Sequence, residues 1–444
     1  MQPYKTPAES VLSKLGQYIL VDGFHIVIDL EKSQGNFIVD ANTGKKYLDM
    51  YSYFASLPLG HNHPKVVNDE EFKEVLLRTA LANPTNSDIY AQEYAYFVDK
   101  IGKLTLPNGF KHMFFIAGGG LAIENALKAA FDWKVQKNIA RGLGEDKGMK
   151  VIHFKEAFHG RTGYTMSLTN TDPIKTKWFP KFDWPRIINP KLTFPLTDEI
   201  VEEVAKTEEQ AFAQIKQAFA ENPNDIAAIV IEPIQGEGGD NHFRAEFFQG
   251  LRKLADENEA MLIVDEVQTG GGLTGKFWAY EHFGFEPDII AFGKKMQVCG
   301  IMVNSRIDEI PTNVFTTSGR INSTWGGNLV DMIRGLKYAE IIREDNLLEN
   351  AATVGAHFMR KMTEFSLNYP NVLTNVRGRG LFMAFDCANA EARDMLRSIC
   401  FEKGLATLAS GSKSVRFRPC LTLSINEADY ALDILEDAIK SVAK

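Results

Sequence analysis

The chain contains no run of about 18 apolar residues, the length a membrane-spanning helix requires, so no membrane partner is expected. Its opening residues lack the apolar stretch of a secretory leader. Cysteine is scarce: Cys299, Cys387, Cys400 and Cys420 are scattered, with no C-x-x-C pair. That spacing argues against structural zinc and gives no other metal signature, and the low count suits a reducing, cytoplasmic compartment. There is no excess of basic residues either. Acids outnumber bases 57 to 49, for a net charge of -8, so the electrostatic footprint of a nucleic-acid binder is missing. Internal repeats and low-complexity segments are absent as well.

What remains is an ordinary globular composition, 45% hydrophobic and 24% charged over 444 residues. That length is enough for a large core and for two or three domains. Short strand-like pieces at 24–30 and 36–39, with a turn at Thr43-Gly44, open the chain. From about residue 112 apolar strands alternate with helical patterns: 112–116, then a helix over 121 to about 137, then 149–154, 227–232, 261–267 and 289–292. Each strand is rich in Ile, Val or Phe and apolar on both faces, as in a mostly parallel sheet covered by helices. The acidic stretch 198–203 reads as a solvated helix face. After about residue 314 the pattern changes to helices from 328 and over 347–367, strand-like segments at 372–385 and 415–423, and a last helix over 426–442. The expected fold is α/β, with a large domain over 61–312 and a smaller α+β domain over 313–444 that residues 1–60 complete.

Three clusters carry candidate chemistry. Ala117-Gly118-Gly119-Gly120 lies between a strand and a helix, where glycine amides and the helix dipole can hold a phosphate. A plain tight turn reads equally well. Neither a dinucleotide fingerprint nor a Walker A loop is present. Asp265 ends the apolar strand Leu262-Ile263-Val264, at the edge where open α/β sheets bind ligands. A helix cap or a structural partner would place a carboxylate there too. Lys294 ends another core strand 29 residues later. A lysine in that setting is costly unless it is paired or modified. An ion pair with Asp265 would account for it. So would pyridoxal phosphate, which needs a lysine for a Schiff base, an acid to keep its ring nitrogen protonated and a phosphate cradle.

Residues 261–300, with Asp265-Glu266-Val267, Pro287-Asp288-Ile289 and Lys294, resemble the signature of the class III pyridoxal-phosphate-dependent aminotransferases. The resemblance extends from Leu48-Asp49 and Gly60-His61-Asn62-His63-Pro64 to Val415-Arg416-Phe417-Arg418-Pro419, and counting from Pro287 selects Lys294 over Lys295. Within the class, the stretches 118–134, 156–170, 232–240 and 292–300 with 322–328 are similar to the enzymes that act on the ε-amine of lysine. Two positions depart from that pattern: Met296 stands where Thr is usual, and Ala117 where an acid is common. Met296, two residues beyond Lys294, is therefore expected to touch substrate shape or cofactor affinity.

The resemblance implies a fold-type I architecture with a mostly parallel seven-stranded sheet, the cofactor pyridoxal 5'-phosphate, and a homodimer with shared active sites. It implies that Gly119 and Gly120 give amides to the phosphate and that Phe158 stacks on the pyridine ring rather than serving as a core aromatic. Asp265 would pair with the ring nitrogen and Gln268 approach the ring 3-oxygen. Thr324 would reach the phosphate from the second subunit, although a helix N-cap would also suit it. L-lysine and 2-oxoglutarate are the implied substrates, with Arg161 on the α-carboxylate of lysine. Arg416 can grip a carboxylate in bidentate fashion, and Glu237 resembles the family's switch carboxylate for that arginine. The glycines around Glu237 are expected to make it mobile. Ornithine, 4-aminobutyrate or diamine transamination, aminomutation on the same fold, and a catalytically silent scaffold are the alternatives.

Overall fold

The computed structural model describes residues 4–443. Fourteen strands occur in chain order: Phe37–Val39 (β1), Lys46–Asp49 (β2), Phe110–Ile116 (β3), Lys150–Phe154 (β4), Arg186–Ile187 (β5), Ile226–Ile231 (β6), Met261–Asp265 (β7), Ile289–Phe292 (β8), Cys299–Asn304 (β9), Thr374–Arg379 (β10), Phe382–Asp386 (β11), Leu405–Ala406 (β12), Leu408–Ser410 (β13) and Ser414–Phe417 (β14). Seven of them form one sheet in the order β3-β9-β8-β7-β6-β4-β5. β6, β7 and β8 are buried along their whole length. Alternate residues feed two different cores. Leu262, Val264, Ile290 and Phe292 enter one, and Met261, Ile263, Ile289 and Ala291 the other. That two-sided burial is why these strands read as continuous apolar runs.

The sheet is the mostly parallel seven-stranded array of a fold-type I enzyme. Only β9 runs against both of its neighbours. Residues 293–298 alone connect β8 to β9, far too few for a parallel crossover, so the chain must return antiparallel. β3 pairs antiparallel with β9 and so points the same way as β8. The carboxyl ends of β3, β4, β6, β7 and β8 therefore share one edge, where α/β sheets collect their ligands. The helix Gly119–Ala140 lies across β9, β8 and β6 and starts at that edge.

A second core is built on the sheet β10-β11-β14-β13 and on the trio β1-β2-β12. β2 pairs parallel with β12, which joins the first sixty residues to the C-terminal region. The helix Leu329–Glu344 instead packs Leu329, Met332, Ile333 and Leu336 into the core of the large sheet.

Two strand expectations differ from the structure. Residues 24–30 form only an isolated bridge, Ile28 to Asp40. Phe24 is held by ring contacts with Tyr51 and Phe401 at 5.3 and 5.4 Å, not by a ladder. The segment 415–423 is strand only to Phe417, since Pro419 has no N–H to continue the pairing.

Candidate active site

A cavity of about 480 Å³ opens at the carboxyl edge of the large sheet, lined by Phe54, Gly119, Gly120, Phe158, His159, Arg161, Lys175, Glu232, Glu237, Asp265, Gln268, Lys294 and Arg416, among others. Asp265 pairs with Ala291 across β7 and β8, so Lys294, three residues on, emerges beside it. Lys294 has a φ of 46° and is held in the left-handed region, a conformation that costs free energy and concentrates at functional sites. Burial, reinforced by the nearby Arg416 charge, pushes the Lys294 amine down to about 8.

Lys295 turns the other way. It is buried and donates from Nζ to the Ala55 carbonyl at 2.6 Å. That carbonyl ends a turn, Ser52 to Ala55, whose four residues all have positive φ, from 40° to 69°. Each left-handed residue costs about 1–2 kcal/mol, so the turn needs external ties. Asp49 accepts from the Tyr51 and Ser52 amides at 2.9 and 2.7 Å, and the Ser52 hydroxyl donates to the Arg418 carbonyl at 2.5 Å. The turn carries Phe54 into the cavity.

Asp265 is fixed from two sides. His159 Nδ1 lies 2.8 Å from its Oδ2, and the Val267 amide donates to its Oδ1 at 3.0 Å. Burial opposes charge on His159, but the bond to Asp265 and the charges of Asp265 and Glu232 outweigh it and raise the imidazole above its ordinary value. Glu232 accepts from the Phe158 and Gly236 amides at 2.9 and 3.0 Å. Its burial pushes the carboxyl up, against the pull of His159. A buried carboxylate backed by an imidazolium suits a cationic ring nitrogen.

Gly119 and Gly120 stand at the N-terminus of the long helix, where the amides of Gly119, Gly120 and Leu121 precede the first helical hydrogen bond, from the Ala122 amide to the Gly118 carbonyl at 3.0 Å. A Cβ on Gly119 would lie 2.8 Å from Val267 Cγ1, so its glycine is required for close packing. Gly118, with a φ of 114°, supplies the turn. Ala117 is exposed on this turn and does not line the cavity.

Charged groups fill the far side. Arg416 lies on β14 and Arg418 just beyond its end, while Val415 and Phe417 enter the small core. Arg416 Nη2 donates to Glu237 Oε2 at 2.7 Å, and Lys175 Nζ donates to Glu237 Oε1 at 2.6 Å. Burial raises the Glu237 carboxyl, but Arg416 and Lys175 outweigh it and hold it below the ordinary carboxylate value. Arg416 Nε is buried without a partner. Gln268 Oε1 accepts from Arg418 Nε at 3.1 Å and Arg416 Nη1 at 3.4 Å. Arg161 is exposed and makes no hydrogen bond among the described residues.

Two of the glycines around Glu237 stand where a side chain would collide. A Cβ on Gly236 would lie 2.3 Å from Gln268 Oε1, and one on Gly238 would lie 2.0 Å from the Glu156 carbonyl. The Glu237 carbonyl is tied to the Gly411 amide at 3.0 Å, which leaves only the side chain free to swing. Met296 also differs from expectation. It is buried in the core of the large sheet, against the helix Leu329–Glu344, and does not line the cavity. Thr324 is exposed and lies outside the cavity of its own chain. It is no N-cap either, because Asn328 holds that position.

Residues 18–439 match the family Aminotransferase class-III. The chain belongs to the class III aminotransferases. This class III aminotransferase is 47% identical over 437 residues to the L-lysine-epsilon aminotransferase of Mycobacterium tuberculosis, covering 98% of this chain and 97% of the relative. It is 45% identical to the enzyme of that name from Streptomyces clavuligerus (98% and 95% covered) and 31% identical to the human mitochondrial 4-aminobutyrate aminotransferase (97% and 88% covered). The solved structure of lysine aminotransferase from M. tuberculosis superposes with a TM-score of 0.96 at 47% identity, covering 99% of this chain and 100% of the other. A transaminase from the marine bacterium Virgibacillus shares the fold at a TM-score of 0.82 and 21% identity, with 100% and 97% covered. Class III aminotransferases use pyridoxal phosphate, and the cavity fits that group: a half-buried lysine, a buried and hydrogen-bonded carboxylate, a phenylalanine and a helix N-terminus that begins on glycines.

His159, Glu232, Lys175 and Phe54 were not legible as site residues. For His159 the one local signal is its place directly after Phe158 in the loop that follows a core strand.

Proposed function

We propose that this aminotransferase moves the ε-amino group of L-lysine to 2-oxoglutarate. The products are 2-aminoadipate 6-semialdehyde, which cyclises to a piperideine carboxylate, and glutamate. One observation carries the reading: Arg416 is neutralised by Glu237 inside the cavity. The carbon that bears an ε-amine has no carboxylate, and a bare guanidinium beside it would repel the substrate's charge. The reacting carbon of an α-keto acid does carry a carboxylate. Arg416, with its Nε unpartnered, can take that group as a fork once Glu237 withdraws. Arg161, unpaired at the cavity wall, suits the distant carboxylate of either substrate. The names of the relatives at 45–47% identity support the same donor.

Bound pyridoxal phosphate supplies an electrophilic carbon and a ring that accepts electrons from the breaking C–H bond. The chain does the rest. Lys294 Nζ, with its lowered pKa, is able to take the proton from the substrate carbon that bears the amine. Asp265 holds a fixed negative charge toward the ring nitrogen, and Phe158 offers a flat apolar face.

Two further expectations belong to this reading. We propose that Thr324, exposed next to the half-exposed Trp325, completes the phosphate cradle of a second copy in a homodimer. Of the division into 1–60, 61–312 and 313–444, the pairing of β2 with β12 supports joining 1–60 to the C-terminal unit, whereas the helix Leu329–Glu344 belongs with the large sheet. Among the described residues no helix is long and apolar enough to cross a membrane, and a cytoplasmic location accords with the four unpaired cysteines. A panel of lysine, ornithine, 4-aminobutyrate and diamine donors with 2-oxoglutarate, reading glutamate formed, tests the assignment. A preference for any donor over lysine overturns it.

A further inference from the structure

The Glu237 carboxylate is held by two cations, not one. Besides Arg416 on Oε2, Lys175 Nζ sits 2.6 Å from Oε1. Lys175 comes from the short turn Pro173–Lys175, far in sequence from both partners. It has anchors of its own: its ammonium lies 5.4 Å from the Phe158 ring centroid and 3.2 Å from the Thr171 hydroxyl. It therefore keeps its place when the carboxylate moves.

This arrangement has a consequence for the exchange of substrates, and it rests on the reading of Glu237 as the group that covers and uncovers Arg416. When a keto acid claims Arg416, Glu237 must give up one charge-assisted hydrogen bond. The backbone of Glu237 is fixed at Gly411, so the side chain alone moves. Without a second cation it would become a partly buried, unpartnered anion, which is costly. With Lys175 it keeps one strong contact throughout, and that contact strengthens once Arg416 no longer shares the charge. The geometry points to Lys175 as a positioning residue that receives Glu237 in the uncovered state and so sets how readily the site accepts a substrate with a carboxylate on its reacting carbon.

The test uses the holoenzyme and two acceptors that share a distant carboxylate. 2-Oxoglutarate bears a carboxylate on its reacting carbon; succinate semialdehyde does not. In Lys175→Met the KM for 2-oxoglutarate rises about tenfold relative to that for succinate semialdehyde, of the order expected for one charge-assisted contact. Lys175→Arg restores most of the ratio. In a Glu237→Ala background, adding Lys175→Met leaves the ratio unchanged. An equal effect of Lys175→Met on both acceptors, or an effect on kcat alone, overturns the role of Lys175. If Glu237→Ala leaves the balance between lysine and 2-oxoglutarate half-reactions as it was, the covering role of Glu237 fails instead, and the two failures are separately visible.

Discussion

His159 Nδ1 lies 2.8 Å from Asp265 Oδ2, and both side chains are shut away from water. The histidine thus acts on the carboxylate from behind, leaving its other face to the cavity. Because Asp265 raises the His159 pKa, the pair's contribution to stability is complete below the ordinary histidine value of about 6.5 and is lost as pH rises through the folded value. Asp265→Asn should therefore destabilise the apoprotein more at pH 6 than at pH 9 in urea denaturation. It should also cut turnover by about 10²–10³-fold, as for other removed electrostatic partners. Near-normal turnover would refute the assigned role.

Lys294→Ala is expected to retain cofactor by its phosphate contacts but to lose the Schiff-base absorbance and about 10²–10⁴-fold in transamination. Lys295→Met removes the tie to Ala55 and acts on the left-handed turn, so its Schiff-base absorbance persists. Spectra of the two variants decide which lysine reacts, and loss of the band in Lys295→Met alone would shift the assignment by one residue.

The Lys294 amine must be neutral to attack a carbonyl carbon. Burial and Arg416 hold it at about 8, below the usual 10.5. Capture of pyridoxal phosphate by the apoprotein should accelerate with a midpoint near pH 8 and level off above it. Glu237 raises the Lys294 pKa, so Glu237→Gln moves the midpoint to lower pH. A midpoint near 10 in stopped-flow absorbance would contradict the burial argument.

Glu237→Ala should separate the two half-reactions. Arg416 remains charged and uncovered, so 2-oxoglutarate still finds its partner. The lysine half-reaction loses a compensating charge worth on the order of 1.5–3 kcal/mol, roughly ten- to a hundredfold in rate. Stopped-flow measurement of each half separately checks this. Equal slowing of both would make Glu237 structural.

Gly236→Ala tests the packing around the switch. Its Cβ would lie 2.3 Å from Gln268 Oε1, the end of a side chain that can swing aside by giving up its hydrogen bonds from Arg418 and Arg416, a loss of about 1 kcal/mol. Urea denaturation should register the loss, and a displaced Gln268 should perturb the Arg416 and Arg418 contacts. Unchanged stability would show that this stretch yields more freely than the structure indicates.

Much of this protein was decided locally. The apolar runs of β6, β7 and β8, buried on both faces, announce a covered parallel sheet, because only such a sheet needs side chains that are apolar on both sides. Asp265 and Lys294 stand out as candidates because a charge at the end of a core strand is costly unless paired, and the family resemblance, not the cost alone, separates a cofactor site from an ordinary ion pair. The direction of β9 follows from the short 293–298 connection once both strands are known.

Other features depend on contacts between segments distant in sequence, and no local pattern encodes them. His159 and Asp265 are separated by 106 residues, and Lys175 and Glu237 by 62. Gly236 and Gly238 stand where two chain segments touch, since a missing Cβ serves close approach as well as freedom. Met296, adjacent to the reactive turn in sequence, faces the core because the backbone reverses between Lys294 and Gln297. Within the sequence, the apolar runs carried the fold class, because burial acts on each residue where it stands, whereas Lys294 is preferred to the more deeply buried Lys295 only through the family resemblance. Only the tertiary structure decided which charges share the cavity and which side chains hold them, because a carboxylate's partners are set by the packing of β14, the Gly236–Gly239 turn and Lys175 against one another.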